Sequence, residues 1–173
     1  MNTKIGMPAI LLLTMATTVG CDRMTKHVAS NVLAGTPGRS FLSDSLRLSY
    51  VENTGGFLSV GADLPKAART AVFTLATGLM LLCAALMGIR SRWSGWRAFG
   101  LTLFVAGGLS NWVDRVVHGR VVDFLNVGLG PLRTGVFNMA DVAILLGVGI
   151  VIAYEFRHGS AAGRSTEDSE LHI

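Results

Sequence analysis

Gly107-Gly108-Leu109-Ser110-Asn111-Trp112-Val113-Asp114-Arg115-Val116-Val117-His118-Gly119-Arg120-Val121-Val122-Asp123-Phe124 is the stretch on which the reading of the chain turns. It opens as apolar helix. Asn111, Asp114 and Arg115 recur at i, i+3 and i+4, so they share one helical face at the end of a hydrophobic segment. The run Val121-Val122-Asp123-Phe124-Leu125 is β-branched and apolar around a single acid. It predicts a short strand on which Asp123 points away from Val122 and Phe124. A carboxylate in such company calls for a functional explanation.

Working outward, the chain of 173 residues is 50% hydrophobic with a mean hydropathy of +0.50, above what an ordinary soluble domain carries. Apolar residues cluster at about residues 5–21, 69–89, 98–115 and 137–156. The expected fold is therefore an α-helical integral membrane protein of four transmembrane helices, residues 1–157 forming one domain. Outer loops span 22–68 and 116–136, and a polar tail over 158–173 is expected to be disordered and dispensable for chemistry. Leu46, Leu48 and Tyr50 alternate with Arg47, Ser49 and Val51, which predicts a half-buried strand lying along the membrane surface. Asn53-Thr54-Gly55-Gly56 follows, as either a tight turn or a loop that holds an extended peptide.

The first segment has two readings. Thr18-Val19-Gly20-Cys21 resembles the end of an export signal with a lipoprotein-type cleavage site. A retained helix that continues past the bilayer surface, with Asp22 and Lys26 one turn apart, is preferred because three more apolar segments follow. Lys4, the acid-free Arg90–Arg97 connection with Trp93 and Trp96, and Arg157 assign both ends of the chain to the cytoplasm. The outer loops then share the opposite face. Gly100, Ala106, Gly107, Gly108 and Ser110 in the third segment, and Ala143 and Gly147 in the fourth, offer small surfaces for close helix packing. Cys21 and Cys83 read as packed small hydrophobes. The net charge of +4 comes from fifteen scattered Lys and Arg, which argues against a nucleic-acid partner.

Phe137-Asn138-Met139-Ala140-Asp141 opens the fourth segment, with Asn138 and Asp141 on one helical face. Asp141 reads either as a cap in the first helical turn or, as an ionisable group within the membrane, as a functional residue. Paired with Asp123 on the same side, it gains chemistry. Two close carboxylates in a poorly solvated site share one proton, so the charged member can activate water while the neutral one protonates a scissile carbonyl. No metal is then required. His27, His118, His158 and His172 show no ligand spacing, and no serine stands beside a recognisable base. A non-enzymatic four-helix carrier or scaffold is the alternative, and a lipoprotein processed at Cys21 a third reading.

Asp22-Arg23-Met24-Thr25-Lys26, Asn53-Thr54-Gly55, Asn111-Trp112-Val113-Asp114-Arg115, Gly119-Arg120-Val121-Val122-Asp123-Phe124 and Phe137-Asn138-Met139-Ala140-Asp141, in this order, resemble the lipoprotein signal peptidases, or signal peptidase II. These are aspartyl peptidases of the bacterial inner membrane. The resemblance implies catalysis by Asp123 and Asp141, with Asn53, Asn111, Asp114, Arg115 and Asn138 shaping the site. Asp22 and Lys26 match the motif at the end of the first helix, and Gly55 and Ala140 stand within the matching motifs. It further implies a small β cradle on the periplasmic face, prolipoprotein substrates cleaved before a diacylglyceryl-modified cysteine, and inhibition by globomycin. No cofactor is expected, and the partners are substrate and membrane lipid, with a monomer as the working unit. Two departures stand out: Gly55-Gly56-Phe57 where many members have Gly-Ala-Ala, and Ser110 where a Gly is frequent.

Overall fold

A computed structural model describes residues 6–170 except 57, 59 and 94. Helix α1 spans Met7–Leu33, with Pro8 in its first turn where no amide partner is lost. Strands β1 (Arg39–Phe41) and β2 (Leu46–Asn53) follow. Helix α2 is Lys66–Arg90, with a π-helical stretch over Thr70–Ala76, and α3 is Gly95–His118. Strands β3 (Val121–Leu129) and β4 (Leu132–Arg133) lead to α4, Met139–Glu170. The protein is thus mostly helical with one small antiparallel sheet, ordered β1-β2-β3-β4.

Among the described residues, two helical segments are long and apolar enough to cross a membrane, Lys66–Arg90 and Met139–His158. The expectation of four spans meets a physical complication in the other two helices. α1 has 27 residues and α3 has 24, ample for a bilayer, but both carry charge. Asp22, Lys26 and Asp114 are buried, as is the polar Asn111, so these groups face the protein interior and lower the hydropathy without lying on the outer faces of the helices. The tail expected to be disordered after His158 continues as helical backbone to Glu170, an extension of an already nucleated helix. Cys21 and Cys83, expected to be packed, are both exposed, on helix faces turned away from the other helices.

Small residues bring α3 and α4 into backbone contact, as their spacing predicts. A Cβ added at Gly107 would lie 2.5 Å from the Ala140 carbonyl oxygen, and one at Gly147 would lie 2.5 Å from that of Gly100. Only hydrogen at these positions lets the helices approach so closely. At the outer end of α1, Ala29 and Leu33 form an apolar core with Phe124, against which Leu48, Tyr50, Leu125 and Met139 pack. α1 therefore serves both as a helix of the bundle and as the floor of the sheet.

The sheet register contains one irregularity with large effect. Leu48 pairs with Leu125, but Val51 pairs with Asp123, so β2 carries one extra residue between these points. Such a bulge flips the side chains beyond it to the opposite face. With the bulge, Asn53 and Val51 share the face of Asp123; without it, Tyr50 and Glu52 would occupy that face.

Candidate active site

Asp123 and Asp141 are both buried, at 2% and 7% exposure. Three asparagine amides hold them, and each amide has its orientation dictated by another group. Asn53 Oδ1 accepts the Gly55 N–H at 2.9 Å, so its Nδ2 faces and donates to Asp123 Oδ2 at 2.8 Å. Asn138 Oδ1 accepts the Asp141 N–H at 3.1 Å, which leaves Nδ2 to donate to Asp123 Oδ1 at 2.6 Å. Asn111 Oδ1 accepts from Lys26 Nζ at 2.8 Å; an ammonium can only donate, so Asn111 Nδ2 turns to Asp141 Oδ1, at 2.9 Å. Asp141 Oδ2 accepts the Asn138 N–H at 3.0 Å. Every carboxylate oxygen of the pair thus has one donor.

The two bonds between Asn138 and Asp141 are reciprocal, with Asn138 just before the helix and Asp141 at its third residue. This is a capping box. The capping reading of Asp141 is thereby realised, and it leaves Asp141 Oδ1 turned to Asn111 beside the Asp123 network. Asn138 is the shared element, because its backbone fixes Asp141 while its amide reaches Asp123, and it also donates to Asn111 Oδ1 at 3.2 Å. Burial pushes the Asp123 carboxyl above the ordinary carboxylate range, opposed by the hydrogen bonds from Asn53 and Asn138 and by the positive charges of Lys26 and Arg115.

A buried ion cluster supports this layer. Lys26 Nζ donates to Asp114 Oδ2 at 2.8 Å and to Asn111 Oδ1, and it forms an ion pair with Asp22 Oδ2 at 2.7 Å. Arg23 pairs with Asp114 and donates to the Ser110 carbonyl at 2.9 Å. Asp22 takes the Ser110 hydroxyl at 2.6 Å and the Ala140 N–H at 2.9 Å. A carboxylate from the first helix thereby caps a free amide at the start of the last one, where the helix dipole favours negative charge. Arg115 Nε and Nη2 donate to the Gly55 carbonyl at 3.1 and 2.6 Å and hold the loop after β2.

All the residues singled out from the sequence therefore converge on one region, Gly55 and Ala140 through their backbone groups. Asp114 turns to α1, whereas Arg115 turns to the loop and also donates to the Asn111 carbonyl near the end of α3 at 3.3 Å. Ser110, read from the sequence as a packing adjustment, is a donor to Asp22, and Arg23 was overlooked. A hydroxyl one residue before Asn111, at the polar end of an otherwise apolar helix, is the signal that marks Ser110. At the loop departure, Gly56 makes room for an aromatic ring: a Cβ there would lie 2.8 Å from Phe73 Cε1. Phe57 lies outside the described residues. His118 ends α3 in an exposed position, consistent with its exclusion from the chemistry.

Chemically, the arrangement offers two buried carboxylates, oriented by neutral donors and backed by fixed positive charge. Among the described residues no group of His, Cys, Asp and Glu has the geometry to hold a metal ion.

Residues 14–157 match a family described as Signal peptidase (SPase) II. Similar chains include the lipoprotein signal peptidase of Sphingopyxis alaskensis, 32% identical over 146 residues, 83% of this chain and 83% of that one. That of Streptococcus pneumoniae is 29% identical over 146 residues, covering 83% and 90%. A solved structure described as a bacterial membrane enzyme shares the fold at a TM-score of 0.78 and 22% identity, covering 88% of this chain and 90% of its own. A second, at a TM-score of 0.70 and 23% identity, covers 84% and 91%.

Proposed function

The chain belongs to the signal peptidase II family, a peptidase that removes signal peptides from prolipoproteins, and from that premise we propose that Asp123 and Asp141 perform the hydrolysis as an aspartyl dyad. The observation that carries this reading is Asn138, which ties one carboxylate through its side chain and the other through its backbone. The substrate is a prolipoprotein whose cysteine bears a diacylglyceryl group, and cleavage falls just before that cysteine.

The reaction needs one proton shared by the pair. The charged carboxylate takes a proton from water as the oxygen attacks the scissile carbonyl carbon, and the neutral one gives its proton to the carbonyl oxygen. A tetrahedral diol results. The carboxylate that received the water proton then delivers it to the amide nitrogen as the C–N bond breaks. A diol proton returns to the other carboxylate as the new carboxyl group forms, which restores the starting protonation. Asn53, Asn111 and Asn138 keep both carboxylates oriented throughout, and the Lys26 cluster fixes Asn111. Arg115 holds the Gly55 loop over the site, and Ala140 offers its amide to Asp22. No metal or cofactor takes part.

In this reading all four long helices cross the bacterial inner membrane. The sheet lies on the periplasmic face and the Arg90–Arg97 connection on the cytoplasmic face. The burial of the α1 and α3 charges against each other supports the crossing of these two helices. The working unit in this reading is a monomer. A substrate anchored by acyl chains arrives laterally through membrane lipid and meets the site at the outer end of the helices.

The test is cleavage of a diacylglyceryl-modified prolipoprotein by purified protein in detergent, comparing the parent with Asp123→Asn and Asp141→Asn and adding chelator or globomycin to the parent. Chelator-resistant, globomycin-sensitive cleavage that both variants lose is the expected result. Substantial turnover by a folded Asp123→Asn or Asp141→Asn protein refutes the dyad.

A further inference from the structure

Away from the carboxylates, the seam between α2 and α3 holds two adjoining cavities of opposite character. The outer one, about 320 Å³, is lined by Lys66, Arg69 and Arg115 together with Thr70, Thr74 and Phe73, and none of the described residues lining it is acidic. The inner one, about 230 Å³, is lined by Gly78, Leu81, Leu82, Val105, Leu109 and Trp112 among others, and is almost wholly apolar. They meet at one contact, where the Trp112 indole N–H donates to the Thr74 carbonyl at 2.8 Å. That carbonyl lies in the π-helical stretch of α2. π-Helical turns are uncommon and concentrate at functional sites.

Arg115 has the buried carboxylates of Asp114, Asp123 and Asp141 as its counter-charges, whereas Lys66 and Arg69 bring two further cations to the same cavity, and an anion there offsets the repulsion among the three. Lys66 and Arg69 occupy the first turn of a helix whose next residues are apolar and outward-facing, with Val72, Leu75 and Leu79 at 49%, 68% and 62% exposure. That is the depth at which lipid phosphates lie. From Arg69 to Ala85, at the lower end of the inner cavity, the helix rises by about 24 Å, close to the reach of a long acyl chain.

We propose that this seam binds one anionic phospholipid of the outer leaflet, its phosphodiester held by Lys66, Arg69 and Arg115 and one acyl chain in the groove beside Trp112. The placement rests on the membrane topology proposed above, but the ligand is distinct from the substrate lipid, whose glyceryl thioether carries no phosphate. The same seam touches the loop after β2. Arg115 donates to the Gly55 carbonyl, and the Phe73 ring fills the notch left by Gly56 and Gly61. A bound headgroup therefore fixes the loop that presents Asn53 to Asp123.

The test uses the full chain in neutral detergent with Trp93→Phe and Trp96→Phe, which leaves Trp112 as the one tryptophan, titrated with lipids carrying brominated acyl chains. Brominated phosphatidylglycerol should quench Trp112 at concentrations roughly tenfold below those of brominated phosphatidylcholine or diacylglycerol. Lys66→Gln with Arg69→Gln should abolish that preference, and Lys66→Arg with Arg69→Lys should restore it, at an unchanged melting temperature. Inorganic phosphate competing as well as the lipid would reduce the site to a free-anion pocket and overturn the proposal. Equal quenching by all three lipids, or a preference that survives the double Gln variant, overturns it too. Cleavage is not the readout, so failure of the dyad reading and failure of this one remain distinguishable.

Discussion

Replacing Lys26 by Met keeps the length of the side chain and removes the ammonium. The ammonium nitrogen lies 2.7 Å from Asp22 Oδ2 and 2.8 Å from Asp114 Oδ2, in side chains no more than 8% exposed. Removing one partner of a buried ion pair costs about 3–5 kcal/mol, because the remaining charge has lost its counter-charge. Here the loss falls at the lower end. Asp114 keeps Arg23, and Asp22 keeps the Ser110 hydroxyl and the Ala140 amide. The Met side chain also restores most of the packing of the lysine stem. About 3 kcal/mol corresponds to a fall in melting temperature of about 6–12 °C in a chain of this size. Asn111 would lose the donor that sets its amide, so turnover should fall further than stability alone explains. The assay is thermal unfolding in detergent, with prolipoprotein cleavage measured well below the transition. Two controls sharpen it. Adding Asp22→Asn to the Lys26→Met protein should recover part of the loss. Glu155→Gln, which breaks the half-exposed Arg97–Glu155 pair at 2.8 Å, should cost less than about 1 kcal/mol. A Lys26→Met protein that melts within about 1 °C of the parent would refute the view that this cluster joins α1 to α3.

The remaining predictions concern the carboxylates, the loop and the helix seam. Because burial raises Asp123 above its unfolded value, its contribution to stability is fully present below about pH 4 and is lost as pH rises through the folded value. Melting curves of the parent should show this decline, and those of Asp123→Asn should show a smaller one. The acid limb of the parent's cleavage profile should likewise lie above pH 4. Asn53→Ala removes a hydrogen bond to a buried carboxylate, about 1.5–3 kcal/mol, so kcat/KM should fall about 10- to 150-fold. A fall of less than threefold would mean that Asn53 does not orient Asp123. Gly147→Val places a Cβ 2.5 Å from the Gly100 carbonyl oxygen and 2.6 Å from the Phe104 nitrogen, and should destabilise by about 1–3 kcal/mol or more, measured by melting temperature.

The helices and their close seam were legible because apolar length and small-residue spacing are local properties of the chain. Val121–Leu125 and Leu46–Val51 were legible as strands for the same reason. What could not be read is which side chains face each other across the sheet. Simple alternation along β2 puts Tyr50 and Glu52 on one face, and the bulge between Leu48 and Val51 hands that face to Asn53 instead. A bulge depends on pairing with a distant strand and leaves no alternation signal of its own. Arg23 was missed for a similar reason. An arginine at the end of an apolar helix reads as an interfacial charge, and only the packing of α1 against α3 turns it toward Asp114. Asp141 was legible as two alternatives, and the capping box realises the first without excluding the second.

The carboxylate of Asp22 reaches across the fold to the amide of Ala140, so the first helix completes the start of the last. During synthesis these two segments emerge at opposite ends of the process. An incompletely inserted chain has Asp123 but neither Asn138 nor Asp141, and it lacks the amide that Asp22 is shaped to receive. With Asp123 and Asp141 as the proposed dyad, proteolytic competence arrives in one step, when the final helix docks. A nascent peptidase of this design cannot cut the secretory traffic that passes beside it before it is itself finished.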